Sequence, residues 1–133
     1  MTQTYEISKI DNGLIFYTRY EGQLSLKTMM ESSYKRTADP DYRQTVFVVN
    51  DLLACDLSLF TPDHIRQISA RVREVLVQRP YMVAIIIVKD ELAYGLGRIW
   101  RGNTRPVSKD LHVVYSTEEA FKIVDDVRTE RGI

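Results

Sequence analysis

A chain of 133 residues, 44% hydrophobic and 27% charged, has the composition of one ordinary folded domain, which excludes a wholly disordered protein. Lysine plus arginine and aspartate plus glutamate each number 18, so no overall basic excess indicates a nucleic-acid-binding protein. The only cysteine, Cys55, cannot form an internal disulfide, and its apolar neighbours predict an inert buried thiol. We therefore expect a single domain over residues 1–133.

The chain shows no signal for secretion, membrane insertion or metal binding. Met1–Glu6 lacks the basic and apolar regions of a signal peptide, and no apolar run approaches the ~18 residues that a membrane span needs. His64 and His112 are far apart, with no cysteine or carboxylate at a ligand spacing around either. The sequence predicts a cytoplasmic protein without a membrane span, metal or cofactor.

The N-terminal third predicts an antiparallel hairpin followed by a helix. Tyr5–Ile10 and Leu14–Tyr20 are β-rich and flank Asp11–Gly13, in which Asn-Gly supplies the positive φ values of a tight turn. Ser25 is a candidate N-cap for the helix, and Ala38–Asp41 ends it because Pro disfavours helix in the residue before it. The apolar face of this helix is predicted to consist of Leu26, Met29, Met30 and Tyr34.

The central stretch predicts a strand, an apolar loop and a capped helix in succession. Thr45–Asp51 has apolar residues at both odd and even positions, as in a strand covered on both faces. Leu52–Phe60 is too apolar for a fully solvated loop and is expected to pack over the core. Thr61 as N-cap and Pro62 at the first helical position begin a helix that runs to Gln78. Its inner stripe is predicted to consist of Ile65, Ile68, Val72, Val75 and Leu76.

The C-terminal half predicts two further pairs of strand and helix. Tyr81–Val88 is the most apolar run of the chain and is expected to be a second strand buried on both faces. Asp90 caps a helix predicted from Glu91 to about Arg101, and Leu111–Tyr115 is the last strand. The inner stripe of the helix is predicted to consist of Leu92, Leu96, Ile99 and Trp100.

The C-terminal half also contains two helix-weakening glycines and a helix cap. Gly95 and Gly97 each weaken a helix by about 1 kcal/mol relative to Ala, which indicates close packing on a neighbour or a mobile segment. Gly102–Pro106 is predicted to be a loop, and Ser116 with Glu119 forms a capping box for a final helix. The apolar face of that helix contains Ala120, Phe121, Val124 and Val127. The order of elements predicts an α/β fold with a mixed five-stranded sheet, only its first strand antiparallel, and four helices.

Six short features, together with the order of elements, resemble a known family. They are Gly22, Asp39-Pro40, Asn50-Asp51, Asp56-Leu57-Ser58, the segment Ala93–Arg98 and Glu119-Ala120. Over nearly the whole chain they resemble the SpoIIAA-like proteins, relatives of the STAS domains of anti-sigma-factor antagonists and sulfate transporters. The resemblance implies a bacterial, non-enzymatic regulatory or protein-interaction module with a protein partner.

The chain departs from this family at the regulatory motif. Anti-sigma-factor antagonists carry Asp-Ser-Ser-Gly at the helix after the central strand, whereas here that place reads Phe60-Thr61-Pro62-Asp63. Thr61 and Ser58 are the candidate regulatory residues, since a phosphate is electrostatically stabilised at a helix N-terminus. The alternative role for Thr61 is a plain N-cap.

Two other functions stay open beside the interaction module. Related folds such as the CRAL-TRIO lipid-binding fold hold an apolar ligand, so an apolar small molecule or lipid is the alternative, with Leu52–Phe60 and the glycine-containing helix as a gate. An enzyme is third, because Asp51, Asp56 and Asp63 are better explained by capping and turn roles. The candidate ligand or partner surface comprises Phe60, Tyr94, Arg98 and Trp100.

Self-association is a further expectation. Tyr94, Trp100, Phe60 and Leu59 form an apolar surplus that one small core does not obviously absorb, and exposed aromatic residues are enriched at interfaces. A two-fold homodimer joined at Trp100 is therefore predicted, with a monomer that covers its sheet ends as the alternative. Six arginines, on the second and third helices and in the loop after them, also form a candidate basic surface, but interspersed acids favour a charge-balanced face. They are Arg66, Arg71, Arg73, Arg98, Arg101 and Arg105.

Overall fold

Strands and helices alternate along the chain in the order that the sequence predicts. The structure is a computed structural model that describes residues 4–105 and 110–133. Within those ranges it contains five strands, four α-helices and one short 3₁₀ helix. The strands are β1 (Thr4–Ile10), β2 (Ile15–Gln23), β3 (Phe47–Asp56), β4 (Val83–Ile87) and β5 (Leu111–Val114). The helices are α1 (Leu26–Ala38), α2 (Pro62–Gln78), α3 (Glu91–Thr104) and α4 (Thr117–Arg131), and the 3₁₀ helix is Pro40–Gln44.

The sheet is mixed and its strands lie side by side in chain order. β1 pairs with β2 antiparallel, and β2, β3, β4 and β5 pair in parallel. The predicted α/β class, the five strands and the single antiparallel strand are confirmed. β3 and β4 lie inside the sheet, as expected for strands that are apolar on both parities.

The hairpin between β1 and β2 is confirmed, with the strained residues one position earlier than expected. Asp11 and Asn12 have φ values of 52° and 58°, and the Gly13 N–H donates to the Ile10 carbonyl at 3.2 Å. Asp and Asn tolerate the left-handed region better than other side chains, so they occupy the two central positions of the turn. Gly13 follows with a φ of 91°.

The prediction that the central strand ends at Asp51 is wrong. β3 continues to Asp56, so most of the predicted Leu52–Phe60 loop is strand. The continuation pairs with the second half of β2, which runs past Gly22 to Gln23, and one extra residue of β3 is accommodated where the register shifts between Arg19 and Glu21. A strand distant in sequence supplies these backbone hydrogen bonds, so the local sequence pattern does not predict them.

The inner face predicted for α3 is also wrong in part. Leu92 is 70% exposed and Ile99 40%, whereas the buried residues are Ala93, Gly97, Trp100 and Thr104. A Cβ built on Gly97 would lie 2.8 Å from Val113 Cγ1, so the helix turns its small residues to β5 and approaches it closely. Gly97 thus confirms the predicted close packing, while a Cβ on Gly95 would meet nothing within 4 Å.

The segment after α3 differs from the predicted loop Gly102–Pro106. Residues Gly102–Thr104 belong to α3, and Pro106 lies outside the described ranges. The predicted stripe of α4 is confirmed, with Ala120 and Val124 buried and Phe121 and Val127 partly buried.

Each face of the sheet has its own apolar core. On one face, α1, α2 and α3 pack over the alternate residues Val48, Leu52, Ala84 and Ile86 of β3 and β4. On the other face, α4 covers Phe47, Val49, Val83 and Ile85 with Ala120 and Val124. The side covered by three helices contains the site described next.

Candidate ligand-binding site

A cavity of about 50 Å³ lies between the sheet and helices α1, α2 and α3. Its wall is mostly apolar, with three polar residues on one side: Ser33, Arg36 and Asn50. The apolar lining consists of Leu24, Met29, Leu52, Leu57, Phe60, Ile65, Ile68, Val72, Ile86, Val88, Ala93, Leu96, Gly97 and Trp100. Small-molecule sites have this combination of an apolar wall and a few convergent polar groups.

Arg36 places a buried positive charge on the cavity wall. Its residue is only 8% exposed, and Nη1 donates to Thr18 Oγ1 at 3.1 Å, to the Tyr20 hydroxyl at 3.4 Å and to Asn50 Oδ1 at 3.5 Å. Tyr20 also shares a short hydrogen bond with Ser32. These partners are hydroxyl and amide oxygens, so none of them carries a negative charge.

Arg71 on the adjacent helix is equally buried but is fully paired. Its Nε donates to Ser33 Oγ at 3.0 Å, Nη2 to Thr37 Oγ1 at 2.9 Å and Nη1 to Glu74 Oε1 at 2.8 Å. The guanidinium also lies 3.9 Å from the ring centre of Tyr34. Arg71 therefore joins α2 to α1, and it does not line the cavity.

The loop between β3 and α2 closes one side of the cavity. Leu57 and Phe60 point into it, while the candidate regulatory residues Ser58 and Thr61 are exposed. Asp56 accepts the Ser58 N–H at 2.8 Å, and this hydrogen bond holds the pKa of the Asp56 carboxyl below its ordinary value. The loop thus presents its apolar side chains inward and its hydroxyl groups outward.

Thr61 is the N-cap of α2, as predicted. Its Oγ1 accepts the His64 N–H at 3.2 Å, and the Thr61 N–H donates to His64 Nδ1 at 3.3 Å, which completes a reciprocal capping box with a histidine. The His64 ring packs edge-on against Phe60. Phosphorylation of Thr61 or Ser58 stays a prediction.

The four residues of the candidate ligand or partner surface do not form one surface. Phe60 and Trp100 are 8% and 4% exposed and line the cavity from different elements. Tyr94 is partly buried and stacks on Tyr115 with ring centres 5.1 Å apart, and Arg98 is exposed on α3. The expectation that Phe60 and Trp100 lie exposed at a dimer interface is therefore corrected, because the folded chain buries both within its own core.

The three aspartates considered for acid chemistry have separate partners. Asp51 accepts the Tyr17 hydroxyl at 2.5 Å and the Leu53 N–H at 2.9 Å on the face of the sheet covered by α4. Burial and the hydrogen bond to Asp51 raise the pKa of Tyr17 to about 12. Asp63 pairs with Arg66 at 2.6 Å. Asp56 accepts from Ser58 in a turn, as predicted, whereas Asp51 lies within β3 and Asp63 follows the Thr61 N-cap, so neither of these two has a capping or turn role.

The candidate basic surface is reduced by burial and pairing. Arg71 is buried, Arg66 is paired with Asp63, and Arg73 donates to the Asn103 carbonyl at 2.7 Å. Among residues 4–105 and 110–133, no three His, Cys, Asp or Glu side chains are grouped in a way that could hold a metal ion. Within the same ranges no helix combines the length and apolar content needed to cross a bilayer.

Cys55 is expected to react slowly in the native protein. The residue is 1% exposed, and burial raises the pKa of its thiol to about 12. Because the thiolate is the nucleophile, alkylation by iodoacetamide at pH 8 should be roughly a thousandfold slower in the folded protein than in urea. The native rate should stay low as the pH rises from 7 to 9. Equal rates in the folded and unfolded protein would contradict the burial.

Sequence reasoning missed the polar part of the site. Met29, Ser32, Ser33 and Arg36 fall at i, i+3, i+4 and i+7, which is the spacing of one helix face. The apolar residues of α1 alone predict an inner face that includes Tyr34, which is 52% exposed, and that omits the three buried polar residues. The period of α1, traced through its polar residues as well, would have indicated the buried group.

Models of known protein families were compared with the chain, and none matches it. The search of curated proteins likewise found no match.

Proposed function

We propose that this chain is a non-enzymatic binding module that holds a small, mainly apolar molecule in the cavity between α1, α2, α3 and the sheet. The observation that carries the proposal is an apolar cavity whose polar residues Ser33, Arg36 and Asn50 converge on one side. Polar groups are costly to bury beside an apolar cavity, whereas a binding site needs a few of them to orient its ligand.

Binding requires the cavity to widen. About 50 Å³ accommodates a few water molecules, whereas small-molecule pockets typically have roughly 300–1,000 Å³. The wall best able to move is the short loop of residues 57–60, because its hydrogen bonds, Ser58 N–H to Asp56 and Phe60 N–H to Leu57, join residues at most three positions apart. In the neighbouring α3, Gly95 and Gly102 weaken the helix without packing on other elements. We propose that these two segments act as the gate; of the predicted Leu52–Phe60 loop only residues 57–60 are available for it, because Leu52–Asp56 belongs to β3.

The SpoIIAA-like, STAS-related fold is part of the proposal. The order of elements and the parallel sheet with one antiparallel edge strand support it. The regulatory, protein-interaction function implied by that family is the second candidate. It is favoured by large apolar side chains that are exposed after the carboxyl ends of β3, β4 and β5. They are Leu59 at 52%, Leu92 at 70% and Tyr115 at 43%.

The cavity is tested by filling it. Ala93 is 4% exposed on the cavity wall, so Ala93→Leu places additional carbon atoms in the space a ligand needs. We expect the substitution to weaken binding of the neutral probe 1-octanol at least tenfold (about 1.4 kcal/mol) in isothermal titration calorimetry. Ala70→Leu, at an exposed position of α2, is the matched control and should bind as the unmodified protein does. Equal binding by both variants would place the octanol elsewhere.

Native mass spectrometry of the protein purified from its own cells separates the two candidate functions. A stoichiometric small molecule that is absent from the Ala93→Leu variant supports the binding module. A protein partner, or a homodimer, that persists in both forms supports the interaction module instead.

A further inference from the structure

We infer that the ligand of this cavity carries a carboxylate and that Arg36 binds it, an inference that rests on the proposed function. Arg36 lies on the cavity wall and is 8% exposed. A guanidinium stays protonated in proteins, so a full positive charge is held beside apolar side chains. Burial of such a charge costs several kcal/mol unless an anion compensates it.

No group of the chain supplies that anion. Among residues 4–105 and 110–133, no carboxylate oxygen lies within 4.0 Å of the Arg36 guanidinium, which is the limit for an ion pair. The remaining residues, 1–3 and 106–109, include no Asp or Glu. Arg36 therefore lacks a counter-ion within its own chain, and its neutral hydrogen-bond partners leave its charge uncompensated.

The alternating direction of side chains along β3 explains why the nearby Asp51 is not the counter-ion of Arg36. Asn50 and Asp51 are consecutive, so their side chains point to opposite faces of the sheet. Asn50 faces Arg36, whereas Asp51 faces α4 and accepts the Tyr17 hydroxyl. The chain places an amide where a carboxylate in the same position would have neutralised the arginine.

Arg71 shows that this chain can pair a buried arginine. It is 7% exposed and contacts Glu74 at 2.8 Å, so burial alone does not explain the missing counter-ion at Arg36. The difference between the two is that Arg36 lines the cavity. A charged group that lies beside a cavity and has no carboxylate partner of its own is what a ligand anion requires.

A monocarboxylate fits better than a phosphate. Among the described residues that line the cavity, Arg36 is the only charged one, so a single negative charge is neutralised there and a phosphate dianion would keep a buried excess charge. Guanidinium and carboxylate are both planar and match in two parallel hydrogen bonds. The apolar remainder of the lining accommodates a hydrocarbon tail, so the ligand class is an organic acid with one apolar chain or ring.

Calorimetric titration of the whole chain with octanoate and with 1-octanol tests the inference, because the two probes share a tail and differ in charge. We expect octanoate to bind at least tenfold more tightly. Arg36→Met should remove that preference, because octanoate then loses its positively charged partner and binds no more tightly than 1-octanol. Arg71→Met, the matched loss of a buried arginine, should keep the preference.

A second variant keeps the test independent of the folding of Arg36→Met. Asn50→Asp supplies an internal carboxylate beside Arg36, so we expect a higher melting temperature, by roughly 2–8 °C, and at least tenfold weaker octanoate binding. Equal affinity for both probes in the unmodified protein, or tighter binding of octyl phosphate, overturns the carboxylate and leaves the proposed function standing. Binding of neither octanoate nor 1-octanol overturns both.

Discussion

Replacement of Trp100 by alanine is expected to lower the free energy of unfolding by about 3–5 kcal/mol. The indole is 4% exposed and packs between α3 and the sheet, so its removal leaves a void that the surrounding core fills only in part. Urea denaturation followed by circular dichroism measures the loss. A buried Trp100 also means that the variant reports on the core of one chain and not on a dimer interface.

The adjacent residue is the control for this substitution. Ile99 is on the same turn of α3 and is 40% exposed, so Ile99→Ala should cost less than about 1 kcal/mol. Similar losses for the two variants would show that Trp100 does not occupy the core position described above.

Ile86→Ala is expected to cost about 2–5 kcal/mol. β4 lies between β3 and β5, and Ile86 is 6% exposed on the face covered by three helices. The denaturation midpoint should fall with an unchanged dependence on urea, because the surface exposed by unfolding stays nearly the same.

Leu53→Ala, which also truncates a residue in a strand, is the control for Ile86→Ala. Leu53 is in β3 but is 36% exposed, so its truncation should cost less than about 1 kcal/mol. A loss well under 1 kcal/mol for Ile86→Ala would contradict the interior position of β4.

Comparison of α3 with α2 shows where sequence reasoning succeeds. In α2 a broad apolar stripe and an N-cap agree, and both Thr61 and the end at Gln78 are as predicted. In α3 the largest apolar residues suggest one face, but the helix packs through Ala93 and Gly97. Hydrophobicity selects the inner face only when side-chain size and backbone approach do not compete with it.

The sequence by itself determined the order and kind of the elements. N-caps depend on hydrogen bonds that span three residues, and those predicted at Ser25, Thr61, Asp90 and Ser116 are all present. Runs that are apolar on both parities identified the two interior strands. These signals are local, so no knowledge of the rest of the chain is needed to recognise them.

Only the tertiary structure decided the length of β3, the packing face of α3 and the absence of a carboxylate beside Arg36. β3 extends to Asp56 because the end of β2 lies beside it, and α3 presents Gly97 to β5 because Val113 lies too close for a side chain there. Arg36 remains without a carboxylate because Asn50, and not Asp51, faces it across the core. Each outcome depends on groups brought together from distant parts of the chain, and a window of neighbouring residues does not contain that information.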